Sequence, residues 1–179
     1  ITLNGKSGCK IQGLQINGNR AIYTENYNGG IYLFSSSNNT ITDNTCTHNN
    51  YGIDLDIFSN YNTITGNTCN INNSGINLNS ANSNTITGNT CNNNNSNGID
   101  LDSSIGNTII GNICYSNDNS GIDLDRSTGN TIIDNICDNN DNSGIDLYSS
   151  SNNTITGNTC IYNNSGIYLY YSSNNTITG

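Results

Sequence analysis

The triplet Asn-Thr-Ile recurs with its first residue at Asn39, Asn62, Asn84, Asn107, Asn130, Asn153 and Asn175, at spacings of 23, 22, 23, 23, 23 and 22 residues. A fixed period of this length means that one supersecondary unit is stacked repeatedly, each copy covering the apolar face of the next. The unit reads approximately N-T-I-T-G-N-T-C-x-x-N-N-S-G-I-D-L-x-S-S-S-N. Its period-2 patches, Thr-Ile-Thr, the residues around Cys, and Gly-Ile-x-Leu-x, predict three short strands per coil with Asn, Ser and Gly at the corners.

A leucine-rich repeat of similar length needs L-x-x-L-x-L-x-x-N and room for a convex helix, and neither is present. Three strands with tight polar corners instead close a coil whose neighbours stack in register at about 4.8 Å. The reading is an all-β, single-domain parallel β-helix with 22–23 residues per coil and about seven coils. Its expected hand is right, as for other parallel crossovers. Residues 39–179 form the regular array. Residues 1–38 form irregular first coils, with an insertion at Gly5–Lys10 that holds the odd Cys9, and extra residues that include Arg20, Tyr23, Glu25 and Tyr27.

Alternation assigns the faces. Ile41, Ile64, Ile86, Ile109, Ile132, Ile155 and Ile177 point inward from the first strand, and the Ile and Leu of each GIxLx point inward from the third. Cys46, Cys69, Cys91, Cys114, Cys137 and Cys160 fill the second. Asn44, Asn67, Asn89 and Asn112 recur at one corner, where stacked amides can bond along the column.

Composition alone points elsewhere. The chain holds 42 Asn and 19 Gly among 179 residues, with 32% hydrophobic residues and no Pro, Met or Trp, which is the profile of a disordered segment. The period overrides it, because the polar residues fall at fixed places. Net charge −9 with four basic residues excludes binding nucleic acid through its phosphates and disfavours an anionic membrane surface. No apolar run approaches the roughly 20 residues of a membrane-spanning helix, so no direct insertion is expected. The start at Ile1 reads as a processed or excised segment.

The motifs NNTITGN, NNSGI and GIxLxSSSNN resemble the parallel β-helix repeats of the carbohydrate-binding and sugar-hydrolase class. That class includes the periplasmic copper-maturation protein of nitrous oxide reductase and archaeal cell-surface proteins, whose Asn/Ser/Thr-rich repeats are the most similar. The resemblance implies an extracellular or cell-surface location. Within it, Tyr51-Gly-Ile-Asp-Leu-Asp56 is similar to the Y-G-F-D-P-H segment of alginate epimerases. It implies roles for Tyr51 and Asp54, while Leu55 and Asp56 stand where the Pro and His would be.

Outward residues of the third strand form pairs along the stack: Tyr32/Phe34, Asp54/Asp56, Asn77/Asn79, Asp100/Asp102, Asp123/Asp125, Asp146/Tyr148 and Tyr168/Tyr170. Aspartates meeting at strand spacing repel by about 1 kcal/mol in water and more near protein. They read as a solvated ladder, or as a calcium site at Asp100, Asp102, Asp123 and Asp125, or, with Arg126 as the base beside a bound cation, as the catalytic set of a uronate lyase. The cysteines never converge as C-x-x-C, and stacked neighbours sit too far apart for disulfides, so they are expected as free buried thiols. Thr pairs on the first strand face outward, and His48 stands alone. Sequons at Asn38, Asn72, Asn94, Asn152, Asn163 and Asn174 are candidate glycosylation sites.

Two functional expectations follow. Regular coil length favours a structural surface rod or filament subunit that requires no cofactor and assembles end to end through Tyr32, Phe34, Tyr168, Tyr170, Tyr171 and Ile177. The alternative is a polysaccharide-active enzyme or carbohydrate-binding module, with polysaccharide as the partner.

Overall fold

The computed structural model describes residues 1–19 and 29–179, so Arg20, Tyr23, Glu25 and Tyr27 lie outside the described residues. It is a parallel β-solenoid without helix among those residues. One stack contains eight strands, Thr2–Asn4, Gly29–Phe34, Tyr51–Asp56, Ser74–Asn79, Ile99–Asp102, Ile122–Asp125, Ser143–Tyr148 and Ser165–Tyr170. We call it the long face. A second eight-stranded stack, the threonine face, runs from Lys10–Gln12 through Thr40–Thr42 and its repeats to Thr176–Thr178.

The third face keeps regular strands only at Gln15–Asn17, Thr45–Thr47 and Thr68–Asn70. Beyond these it continues as single bridges, Thr68 to Thr90, Thr90 to Ile113, Ile113 to Ile136 and Ile136 to Thr159. The expected full strand is lost there because side chains take over its next rung. Asn92 N–H donates to Asn70 Oδ1 (2.8 Å), Tyr115 N–H to Asn92 Oδ1 (2.8 Å) and Ile161 N–H to Asp138 Oδ1 (2.9 Å). Such local acceptors compete with the backbone ladder.

The core lies between the three faces. Ile41, Ile64, Ile86, Ile109 and Ile132, the Ile/Leu pairs of the inner long-face strands, and Cys46 to Cys137 are all 0% exposed. All seven cysteines are free thiols. The glycine of each GIxLx makes room for the thiol column: a Cβ on Gly98 would meet Gly121 O at 2.6 Å and Cys114 Cβ at 2.9 Å.

Asparagine stacks at three corners, two more than its repetition at Asn44, Asn67, Asn89 and Asn112 suggests. In the row Asn44, Asn67, Asn89, Asn112, Asn135, Asn158, each Oδ1 after the first accepts from the backbone N–H and the Nδ2 of the preceding Asn; Asn112 Oδ1, for instance, lies 2.9 Å from Asn89 N and 3.0 Å from Asn89 Nδ2. Asn112 Nδ2 donates onward to Ile86 O (3.0 Å) and Asn135 Oδ1 (2.9 Å). Parallel rows start at Asn39 and Asn49, and a fourth bend carries Ser36, Ser59, Ser104, Ser127 and Ser150. The residue before each ladder position adopts positive φ, as at Asp43 (57°), Ile71 (59°) and Arg126 (48°). That turn points the amide or hydroxyl inward, where it replaces the hydrogen bonds that the bending backbone gives up.

Candidate functional site

Because the repeat period is also the pairing register, the outward rows of the long face stack as in-register neighbours. Asp100 pairs with Asp123 and Asp123 with Asp146, while Asp102 pairs with Asp125 and Asp125 with Tyr148. Tyr148 then pairs with Tyr170, and Asp146 with Tyr168.

The carboxylates of the long face differ in depth: Asp100, Asp102, Asp123, Asp125 and Asp146 are partly exposed, and Asp54 is buried. Asp54 is 4% exposed and its Oδ1 accepts from Asn77 Nδ2 at 2.8 Å. Burial pushes its carboxyl up to about 7. Burial likewise pushes Asp100 up to about 6. Asp123 rises to about 7, through burial and the charges of Asp100 and Asp146. Asn97, an unforeseen partner, donates its Nδ2 to Asp123 Oδ2 at 3.0 Å. Its signal in the sequence is the Asn that replaces Ser before Gly98.

These residues line a trough along the rod. One half, about 320 Å³, is walled by Tyr51, Asn77 and Asn79 and by Asp100, Asp102, Asp123 and Asp125. The other, about 390 Å³, shares Asp123 and Asp125 and continues to Asp146, Tyr148, Tyr168 and Tyr170. Tyr148 and Tyr170 are stacked with centroids 5.5 Å apart, and Tyr168 and Tyr170 are near-parallel at 6.5 Å. Carboxylates and amides at one end and exposed aromatic faces at the other offer a ligand both hydrogen bonds and stacking.

Arg126 sits at the rim, with Nη2 2.7 Å from Asp102 Oδ1 and Nη1 2.9 Å from Asp125 Oδ2. It joins two coils through an exposed, solvent-screened pair that adds little to stability. Both prongs are engaged, so the lyase set of Asp100, Asp102, Asp123, Asp125 and Arg126 comes together in space with its base tied as an ion-pair partner. Of the epimerase-like pair, Tyr51 lines the trough and feels the charge of Asp54, which is itself buried. Asp56 accepts from Tyr32 Oη (2.9 Å) and Asn79 Nδ2 (3.1 Å), and no imidazole stands beside it. His48 is exposed at a corner of the thiol-bearing face. Among the described residues no three His, Cys, Asp or Glu side chains converge enough to hold a metal, so the ladder offers calcium no ready-made cage.

Two sequons are corrected by burial. Asn72 and Asn94 are 0% exposed, with their amides committed to the ladder, and the folded rod presents neither to a glycosyl donor. Asn163 is half-buried and donates to Cys137 O at 2.7 Å, while Asn38, Asn152 and Asn174 are exposed. Of the residues expected at the rod ends, Tyr168, Tyr170, Tyr171 and Ile177 are exposed on the last coil. Tyr32 and Phe34 are not a terminal surface, because Thr2–Asn4 pairs onto them.

The sequence matches the model of the NosD family, described as periplasmic copper-binding protein, over residues 1–136 and 103–179. The chain belongs to the NosD family. Among solved structures it is similar to the periplasmic alginate epimerase AlgG, at 25% identity over 79% of this chain and 35% of that one, TM-score 0.72. It is also similar to the A-module of the mannuronan C-5 epimerase AlgE6 of Azotobacter vinelandii, at 19% identity over 97% of this chain and 52% of that one, TM-score 0.86. The Dettilon tailspike protein aligns at 20% identity over 94% of this chain and 40% of that one, TM-score 0.79. The chain thus spans between a third and about half of the length of these proteins. These structures are right-handed parallel β-helices, and a mirror-image solenoid would not superpose on them. No curated protein is detectably similar to the chain.

The family description raises copper, and the donor set here does not fit it. Copper sites draw on His, Met and accessible thiolate. The chain has no Met and one His; five of its seven thiols stand in single file inside the core, Cys160 ends that file, and Cys9 lies apart on the irregular first coils. Contact with the Cys114 thiol, then burial, holds Cys137 well above the usual thiol range.

Proposed function

We propose that this NosD-family solenoid is a carbohydrate-binding module that works outside the cytoplasm and holds an extended glycan in the trough of the long face. The observation that carries this reading is the continuity of the trough, which runs from hydrogen-bonding carboxylates and amides onto three exposed tyrosines. Sugar rings present polar edges and apolar faces, and pockets that hold them supply partners for both. The likeness to AlgG, a periplasmic alginate epimerase, supports the choice of ligand class. No helix among the described residues is long and apolar enough to cross a membrane.

Binding is favoured over turnover. The coils from 39 to 174 differ in length by a single residue, leaving no long loop to supply further catalytic groups, and Arg126 is occupied. Calorimetric titration with oligosaccharides of several classes, followed by chromatography of the recovered sugar, tests this. Binding with unchanged sugar supports the module. Shortened or epimerised sugar would replace it with an enzyme, and no binding to any class would remove the reading.

End-to-end association is a second reading, favoured by one observation. Leu169 and Ile177 are 37% and 45% exposed on the last coil, where their counterparts in the inner coils are 0% exposed. A second copy, or further coils of the same polypeptide, would cover this surface. Light scattering of the parent and Ile177→Lys over a concentration series decides it: association lost in the variant supports stacking, and two equally monomeric proteins refute it.

A further inference from the structure

We propose that the trough selects glycans with free amino groups, polymers of amino sugars, over uronate polymers such as alginate. This rests on the carbohydrate-binding reading above and narrows it. Asp100, Asp102, Asp123, Asp125 and Asp146 line the two halves of the trough, and Arg126 at its edge already holds Asp102 and Asp125. A uronate chain would bring one more negative charge per sugar against this row. Each such charge is repelled at contact range, more strongly beside protein than in water. A protonated amine gains instead, through charge-assisted hydrogen bonds to carboxylate and attraction to a tyrosine face within about 6 Å.

The acceptors of the wall suit a cation: Asp125 lines both halves of the trough with Oδ2 held by Arg126, and an ammonium group brings three donors to the carboxylates beside it. The geometry also repeats: Asp100, Asp123 and Asp146 are successive register partners, at about 4.8 Å per coil. Sugars of an extended polymer lying along the rod recur at a similar step, so successive amines can meet successive carboxylates.

The test compares affinities at about pH 7.5, where the carboxyls of Asp100 and Asp123 are mainly ionised and an amine of ordinary basicity still carries its proton in large part. The probes are short oligomers of glucosamine, the same oligomers N-acetylated, oligoalginate in chelator and in calcium, and oligolysine. The expected order is glucosamine above its acetylated form by about tenfold or more, with oligoalginate unbound in chelator. Asp123→Asn should cut glucosamine affinity by about tenfold and narrow the preference. The variant should fold, since Asn77 occupies the same row. Thr87→Ala, on another face, serves as the unaffected control. Equal affinity for the acetylated form, or tight oligoalginate binding in chelator or only with calcium, overturns this inference while leaving carbohydrate binding intact. Oligolysine bound as tightly by Tyr168→Ala as by the parent, and as tightly as glucosamine, also overturns it, in favour of a cationic peptide. Failure of every sugar to bind refutes the carbohydrate reading itself.

Discussion

At the scale of single residues, the fold depends on side chains that would be surface decoration in an ordinary domain. Removing the amide in Asn112→Ala strands the Asn89 N–H and the Ile86 carbonyl inside the rod. The expected cost is about 2–4 kcal/mol, read from the shift of the urea midpoint. Two glycines should behave oppositely. Gly98→Ala drives a methyl into Gly121 O and Cys114 Cβ and should cost about 1–3 kcal/mol. At Gly111 (φ +62) nothing lies within 4 Å of a built Cβ, and Asp43 and Asp134 hold the same corner at φ 57 and 52, so Gly111→Asn should fall within about 1 kcal/mol of the parent. Equal losses in the two variants would contradict the packing described. The thiols give a chemical counterpart: in the native protein a thiol reagent should label Cys9 and, more slowly, Cys160, both partly exposed, and after unfolding without reductant it should label all seven.

At the scale of strands, the sequence disclosed more than its composition allowed. In a parallel coil the spacing of Asn-Thr-Ile is the register, so the pairing of Asp100 with Asp123 and of Ile86 with Ile109 could be read by aligning repeats. What could not be read was depth. Alternation says that Asp54 points away from the core, but its 4% exposure depends on the neighbours that flank it, and no period encodes their bulk. The shortened third face was hidden for a related reason, since Asn70 and Asn92 look like other corner asparagines until their oxygens are seen to take the next coil's N–H. Depth has a consequence in pH. A carboxyl whose folded pKa lies above its ordinary 3.8 keeps its proton more readily in the folded state. The resulting stabilisation is complete below about pH 4 and is lost as pH rises through about 6 to 7, where Asp100, Asp54 and Asp123 ionise. The melting temperature should therefore fall between pH 4 and pH 8. Asp123→Asn should melt higher than the parent at pH 8 and show a shallower slope, and a parent that is more stable at pH 8 than at pH 5 would contradict the buried carboxylates.

At the scale of the whole molecule, the rod is a one-dimensional array whose faces do different work. The threonine face and the thiol column supply stacking and core, and the long face gathers most of the acidic side chains that burial has made unusual. Membership of a family described as copper-binding does not extend to a copper ligand set here, and the ligand proposed for the trough is a sugar. The location of the ligand is therefore the claim to test. Tyrosine footprinting with and without bound oligosaccharide reads it directly, because exposed tyrosines also occur elsewhere, at Tyr61, Tyr115 and Tyr162. Protection of Tyr148, Tyr168 and Tyr170, with those three unchanged, is the predicted result. Protection at Tyr115 or Tyr162, with the long-face tyrosines still reactive, would contradict it.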